Sequence, residues 1–285
     1  MEIVDFILNL AGLSLWLSWR SFNLDPAVRA TPSSLAGTLR RAEPRRLRRW
    51  HLLAALGVLL LVRPLLYRQL GSALNWTSKL DLGVVTLAFR SDLPRTAFLF
   101  SLLSFVFTLL VFYTWLVFLA VVNKRVESPD PFLRMVRLQL GRFARWPAPV
   151  LIILPGITIA LGWLAMSPLL AWGGVVDRAQ SPAHLLEQSL LVGLVIYLSL
   201  KYFIPAILLL HLITSYVYLG NHTVWEFISL TARNLLAPLR WLPLRAGKFD
   251  FAPLVGMVLS LLILHAMPIL IVQSMLEHNV IVWPR

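Results

Sequence analysis

Residues Ala97–Val122 read AFLFSLLSFVFTLLVFYTWLVFLAVV, 26 residues without one charged side chain. As a helix this run is about 39 Å long, at a rise of ~1.5 Å per residue. The hydrocarbon core of a bilayer is about 30 Å thick. A helix that is apolar on every side has no polar face to offer water, so lipid is its natural solvent. Three further runs share this character: Ala148–Trp172, Leu190–Leu219 and Phe251–Met275. Leu52–Tyr67 is shorter and carries Arg63 and Pro64. Arg63 lies toward one end, where a long side chain is expected to snorkel to the headgroups. Ile3–Trp19 is the weakest run, because Asp5, Asn9, Ser14 and Ser18 interrupt it. It could lie in the interface, but its length is close to the minimum for crossing, and a span is favoured. The fold class that follows is all-α: a polytopic helical membrane protein with about six transmembrane helices.

Composition agrees. Of the 285 residues, 58% are hydrophobic and 14% charged, against about 45–50% and about 25% in soluble domains. A soluble chain of this kind would expose apolar patches large enough to aggregate. With no cysteine, disulfides, Cys-ligated zinc, iron–sulfur clusters and a thiol nucleophile are excluded. The N-terminus lacks a basic region before its apolar run, having Glu2 and Asp5 instead, and does not read as a cleaved signal peptide.

The basic residues alternate between connecting segments. Segments 20–50, 123–147 and 220–250 hold 18 Lys and Arg, whereas 68–96, 173–188 and 275–285 hold 6. The richer set is expected on the cytoplasmic side, which puts both termini outside. The net charge of +13 then reflects basic loops, including the cluster Arg40–Arg49, facing anionic headgroups. Nucleic acid is not an expected partner. In the longest external segment, Leu80–Arg90 (LDLGVVTLAFR) suits a short strand or interfacial flap better than a helix. A loop pinned at headgroup level by Trp76 is the favoured alternative.

Little in the chain points to catalysis. There is no P-loop, dinucleotide fingerprint, HExxH, GxSxG or kinase set. His211 and His265 lie within apolar runs, as does Lys201. Intramembrane ionisable groups are functional candidates. The two histidines could serve as haem ligands or a proton relay if they face one another. The bland alternative is a hydrogen bond across a helix pair. No metal site and no bound cofactor are otherwise expected. No acidic residue lies well inside a span, which argues against a carboxylate chain for carrying protons.

Two stretches resemble each other. Each has a long apolar span, a basic loop, and an Ala-Pro start to another span: Ala97 through Arg137 and Pro147 to Ala148-Pro149, and Leu190 through Arg233 and Pro243 to Ala252-Pro253. A shift of 96 brings Arg137 onto Arg233, Leu140 onto Leu236 and Pro147 onto Pro243. The copies share one orientation, as parallel repeats do. The chain then divides into an N-terminal membrane extension (1–96), a degenerate repeat (97–189) and a second repeat (190–285).

The second basic loop runs Arg233-Asn234-Leu-Leu-Ala-Pro238-Leu239-Arg240-Trp-Leu-Pro243, followed by Asp250-Phe251-Ala252-Pro253. This resembles the signature of the YggT (YlmG) family of small membrane proteins, an Asn-Pro-x-x-Pro-[Ile/Leu]-Arg stretch and then Asp-[Phe/Ile]-[Ser/Ala]-Pro opening the next helix. Leu235 stands in place of the first proline, and Pro243 comes one residue early. The resemblance covers Leu190 to the end, and more loosely Ala97 onward. It implies a duplicated two-span unit in a bacterial inner membrane. The role it implies is that of a non-enzymatic scaffold or assembly factor in envelope or cell-division organisation. An oligomeric solute or ion channel and a haem or cytochrome maturation protein are the alternatives.

Read by its own chemistry, the loop is an amphipathic segment broken twice by proline. Leu235, Leu236, Leu239 and Leu242 are expected to dip into the acyl boundary, with Arg233, Arg240, Arg245 and Lys248 facing phosphate. Asp250 is expected to cap the last span. Because Pro253 has no N–H, the acceptor must use Ala252 or a cap shifted by one residue. The expected partners are anionic lipid and other membrane proteins or a second copy of the chain.

Overall fold

The computed structural model describes residues 2–24, 49–74, 78–84, 86–89, 93–126, 130–179, 181–218, 220, 222–246 and 249–277. The basic cluster of 40–48, Trp76, Gly247, Lys248 and His278 lie outside them. The helices are α1 (Glu2–Leu24), α2 (Arg49–Leu74), α3 (Pro94–Val122), α4 (Pro131–Leu140), α5 (Ala148–Trp172), α6 (Pro182–Val195), α7 (Leu200–Tyr216), α8 (Thr223–Leu235) and α9 (Ala252–Glu277). Two small sheets accompany them, β1 (Ser78–Asp81) with β2 (Thr86–Phe89), and β3 (Arg245–Ala246) with β4 (Phe249–Asp250). The stretch Leu80–Phe89 therefore contributes to a strand pair rather than to the favoured loop. Its burial alternates along both strands, as a half-covered strand requires.

Among the described residues five helical segments are long and apolar enough to cross a membrane: Trp50–Gln69, Pro94–Val122, Ala148–Trp172, Pro182–Tyr216 and Ala252–Ser274. They correspond to the four strong runs of the sequence and the shorter Leu52–Tyr67, with the fourth beginning at Pro182 rather than Leu190. The fourth is α6 and α7 joined through a 3-10 turn at Ile196–Ser199. The protein is thus a multi-pass helical membrane protein.

The chain forms two compact units, residues 1–80 with 88–109, and 81–87 with 110–285. In the first unit α1 packs on α2. Gly12 lets it approach α3 so closely that a Cβ there would stand 2.7 Å from the Phe105 ring. The helix is inside out by the standards of a soluble protein. Asn9 and Gly12 are buried, while Ile3, Phe6, Ile7 and Leu10 are exposed. Lipid favours that arrangement and water opposes it.

What draws the polar face inward is Arg63, and here the snorkelling expectation fails. Arg63 is 0% exposed, and its Nη2 donates to Asp5 Oδ1 at 2.7 Å. Its Nε donates to the Tyr67 hydroxyl at 3.0 Å, and that hydroxyl donates to the same carboxylate. Asn9 Nδ2 (3.1 Å) and Ser104 Oγ (2.9 Å) donate to Asp5 Oδ2. A guanidinium deep in a protein is stable when its charge is matched and its donors are used. The neighbouring carboxylate matches the charge and, with the Tyr67 hydroxyl, takes donors from Nε and Nη2, while Nη1 is buried without a partner among the described residues.

In the second unit the tightest pairings are α5 with α6 and α7 with α9. The same succession occurs twice: span, amphipathic helix, 3-10 turn, span (α3, α4, Gly141–Arg145, α5; then α7, α8, Ala237–Leu239, α9). The second includes the β3–β4 hairpin, where the first passes directly from Trp146 to Ala148. One core joins spans to amphipathic helices: Leu116, Val117 and Ala120 of α3, Val136 and Leu140 of α4, Ile207 and Leu208 of α7, Ala232 and Leu236 beside them.

Candidate functional site on the amphipathic helices

Helix α4 begins and ends on local signals. Asp130 Oδ1 accepts from Phe132 N–H at 2.8 Å and Pro131 takes the first position, where no donor is needed. Gly141, at φ +59°, ends the helix in a conformation that disfavours a Cβ. Leu133, Val136, Gln139 and Leu140 turn inward, and Arg134, Met135 and Leu138 turn out. Arg142, Phe143, Arg145 and Trp146 continue the exposed face, with the Phe143 and Trp146 rings edge to face at 4.9 Å. No hydrogen bond or ion pair to any described residue holds the side chains of Arg134, Arg142 or Arg145. Arg137 differs, because its Nη2 donates to the carbonyls of Val126 (2.7 Å) and Asn123 (3.4 Å) beyond α3. Carbonyls at a helix C-terminus lack helical donors, and a cation there is favourable.

The Asn123 side chain ties α8 to α3, and the Asn123 backbone carbonyl is one of the two that hold Arg137 of α4. Asn123 is fully buried; its Nδ2 donates to Leu119 O and to Thr231 Oγ1 of α8, both at 3.0 Å, and its Oδ1 accepts from Asn234 Nδ2 at 2.8 Å. A buried amide that uses both ends is strongly specifying, because a wrong register would leave it unpaired. Asn234 belongs to the motif of the second basic loop. Its partner lies 111 residues away, and no local signal names it.

The other motif residues divide between surface and core. Arg233 and Arg240 are exposed, with Arg233 Nε on Ser229 O and Arg240 Nη2 on Arg233 O, both at 3.4 Å. Pro238 sits in the 3-10 turn Ala237–Leu239, and Pro243 is exposed before the hairpin. The leucines depart from expectation. Leu236 is buried in the core, with Leu235 and Leu239 against it. A Cβ on Gly256 of α9 would meet Leu236 Cδ2 at 2.7 Å. The protein's own spans take these side chains, not the acyl boundary.

Asp250 caps as expected, shifted by one residue. Its Oδ1 accepts from Ala252 N–H at 2.9 Å. Phe251 O accepts the first helical bond, from Val255 at 3.0 Å, so Phe251 holds the cap position and Pro253 follows in the first turn. The Asp250 N–H in turn donates to the Tyr216 hydroxyl of α7 at 3.1 Å. Asp250→Ala should lower stability by about 0.5–2 kcal/mol, the usual worth of such an acceptor. Asp250→Asn should stay close to the parent, since an amide oxygen accepts equally well. Thermal unfolding in detergent ranks the three, and an Ala variant as stable as the Asn variant would remove the capping role.

His211 lies within 3.3 Å of Ser229 Oγ on α8, and Thr214 is 3.4 Å from the same hydroxyl. His265 is exposed on α9. Leu208 and Gly256 are neighbours, and the chain runs opposite ways in α7 and α9. His211 is then within a turn of the start of α9, whereas His265 lies 13 residues in, or about 20 Å at helical rise. The structure therefore does not bring these two imidazoles face to face. Lys201 is half-buried, its ammonium 5.8 Å from the Tyr202 ring centroid. Among the described residues no group of three or more His, Asp or Glu could hold a metal ion. Comparison with known proteins finds no matching family model, no matching curated protein and no matching solved structure.

Proposed function

We propose that this protein is a non-enzymatic scaffold or assembly factor of a bacterial inner membrane, of the YggT type. In this reading α4 and α8 form its cytoplasmic platform, and α1 is a sixth span. One observation carries the reading: both amphipathic helices are held to the end of α3, α8 through the buried Asn123 side chain and α4 through Arg137 on the Val126 and Asn123 carbonyls, while the outward side of α4 and its 3-10 turn holds Arg134, Arg142 and Arg145, whose side chains bond to no described residue, beside exposed aromatics. A rigid face of that composition suits phosphate and the apolar–polar boundary. The inside-out polarity of α1 supports its crossing rather than lying on the membrane. The doubled succession of span, amphipathic helix and span supports a duplicated unit.

Affinity purification from native membranes should yield stable protein partners. Charge reversal of Arg134, Arg142 and Arg145 to Glu should release the protein's hold on anionic lipid. At about 1 kcal/mol per basic residue near the surface, the triple variant in nanodiscs should lose more than a hundredfold in affinity for vesicles rich in phosphatidylglycerol, and the parent's binding should weaken with salt. Purification without any partner, together with unchanged vesicle binding, would sink the proposal.

A further inference from the structure

We infer that α9 is the surface through which two copies of this chain pair in the membrane, with His265 at its centre. Helix α9 keeps one narrow stripe for its own protein, where Gly256, Leu264 and Ile271 are buried. In Ala252–Ser274 only Pro253, Gly256, Leu264 and Ile271 are buried. Away from the buried stripe, Val258, Leu262, His265 and Ile269 are all exposed. Their spacing of i, i+4, i+7 and i+11 places them on one line down the helix.

Apolar side chains on that line need nothing beyond lipid. The imidazole does. His265 lies 13 residues from one end of the span Ala252–Ser274 and 9 from the other, or about 20 Å and about 13 Å at helical rise. Its side chain is too short to reach a headgroup from there, unlike that of Lys or Arg. It makes no hydrogen bond with any described residue. A neutral imidazole carries one donor and one acceptor, and both are costly to leave empty in hydrocarbon.

A second copy of the chain is the occupant this geometry specifies. All copies insert with the same topology, so a twofold axis along the membrane normal sets each residue level with itself. His265 then meets His265 at the same depth, and the N–H of one ring donates to the bare nitrogen of the other. An unrelated partner would need a polar group at that depth by coincidence. Leu262 and Ile269, one turn to either side, close the contact against their own counterparts. Ala266 beside them leaves room for close approach.

The absence of cysteine makes the test direct. Single cysteines are placed in the full chain at Leu262 and Ile269, and as controls at Ile263 and Leu270, which are exposed at similar depth on another side of α9. Oxidation in native membranes should give a disulfide-linked product of twice the chain mass from the first pair and little from the second. Equal linking from both pairs, none from the first, or an adduct with a different protein would overturn the proposal. His265→Leu, at a position exposed on the single chain and so outside its packed core, should raise the dimer dissociation constant in nanodiscs or liposomes about three- to tenfold. His265→Asn should retain part of the pairing. Pairing of the Leu variant at parental strength would also overturn it. Neither readout depends on α4 or on partner proteins, so failure here leaves the scaffold reading to its own test.

Discussion

Arg63→Ala should destabilise the first unit by about 3–5 kcal/mol, the cost of removing one member of a buried charge pair. The guanidinium is fully buried, and the carboxylate that answers it is 19% exposed. After the substitution Asp5 keeps its bonds to Tyr67, Asn9 and Ser104 but loses its counter-charge in a low-dielectric surround. Asp5→Ala should cost a similar amount, because the guanidinium is then the stranded ion. The double variant Asp5→Leu with Arg63→Leu should be less destabilised than either alanine variant, since an apolar pair leaves no buried charge. Denaturant titration in micelles gives all three values. If Arg63→Ala unfolds at the parental midpoint, the pair contributes nothing and α1 is held by apolar packing alone. The same substitution should also loosen α1 itself, exposing its backbone amides to exchange, because Asp5 and Asn9 are the polar groups that give that helix a reason to face inward.

Gly193→Ala should be the most disruptive single methyl in the second unit. A Cβ at Gly193 would stand 2.7 Å from the Gly156 carbonyl oxygen and 3.2 Å from Ala160 Cβ. The first of these is backbone, so relief requires α5 and α6 to move apart. Overpacking of this kind costs about 1–3 kcal/mol, and the rigid obstacle puts Gly193 at the upper end. Gly156→Ala meets a softer neighbour, the Tyr197 hydroxyl at 2.9 Å. That hydroxyl accepts from Gly156 N–H at 3.1 Å and donates to Ile152 O at 2.5 Å. These are the two groups that an uninterrupted helical turn pairs with each other. Tyr197→Phe should therefore relieve part of the Gly156→Ala penalty and none of the Gly193→Ala penalty. A double-variant cycle tests this, and simple additivity of Gly156→Ala with Tyr197→Phe would show that the hydroxyl is not the obstacle.

The sequence by itself determined the membrane spans, and for a local reason. Whether a segment prefers lipid depends on its own side chains, so Ala148–Trp172 is the same segment in the sequence and in the structure. Caps are local too. Asp250 was legible as an acceptor for the last span, and the lack of an N–H on Pro253 pointed to Ala252. The amphipathic segment of the second basic loop is legible in outline, but not the packing of Leu235, Leu236 and Leu239 on the protein's own core, because sequence does not say which apolar surface lies nearest. The tertiary structure alone decided how helices rotate about their axes and slide along one another. Asp5 meets Arg63 across 58 positions, and Asn123 meets Asn234 across 111. Each polar residue taken singly reads as a weak spot in an apolar run or as the polar end of a helix. Only when rotation and register bring two of them within hydrogen-bonding distance does the unfavourable burial of each become the condition that holds the other.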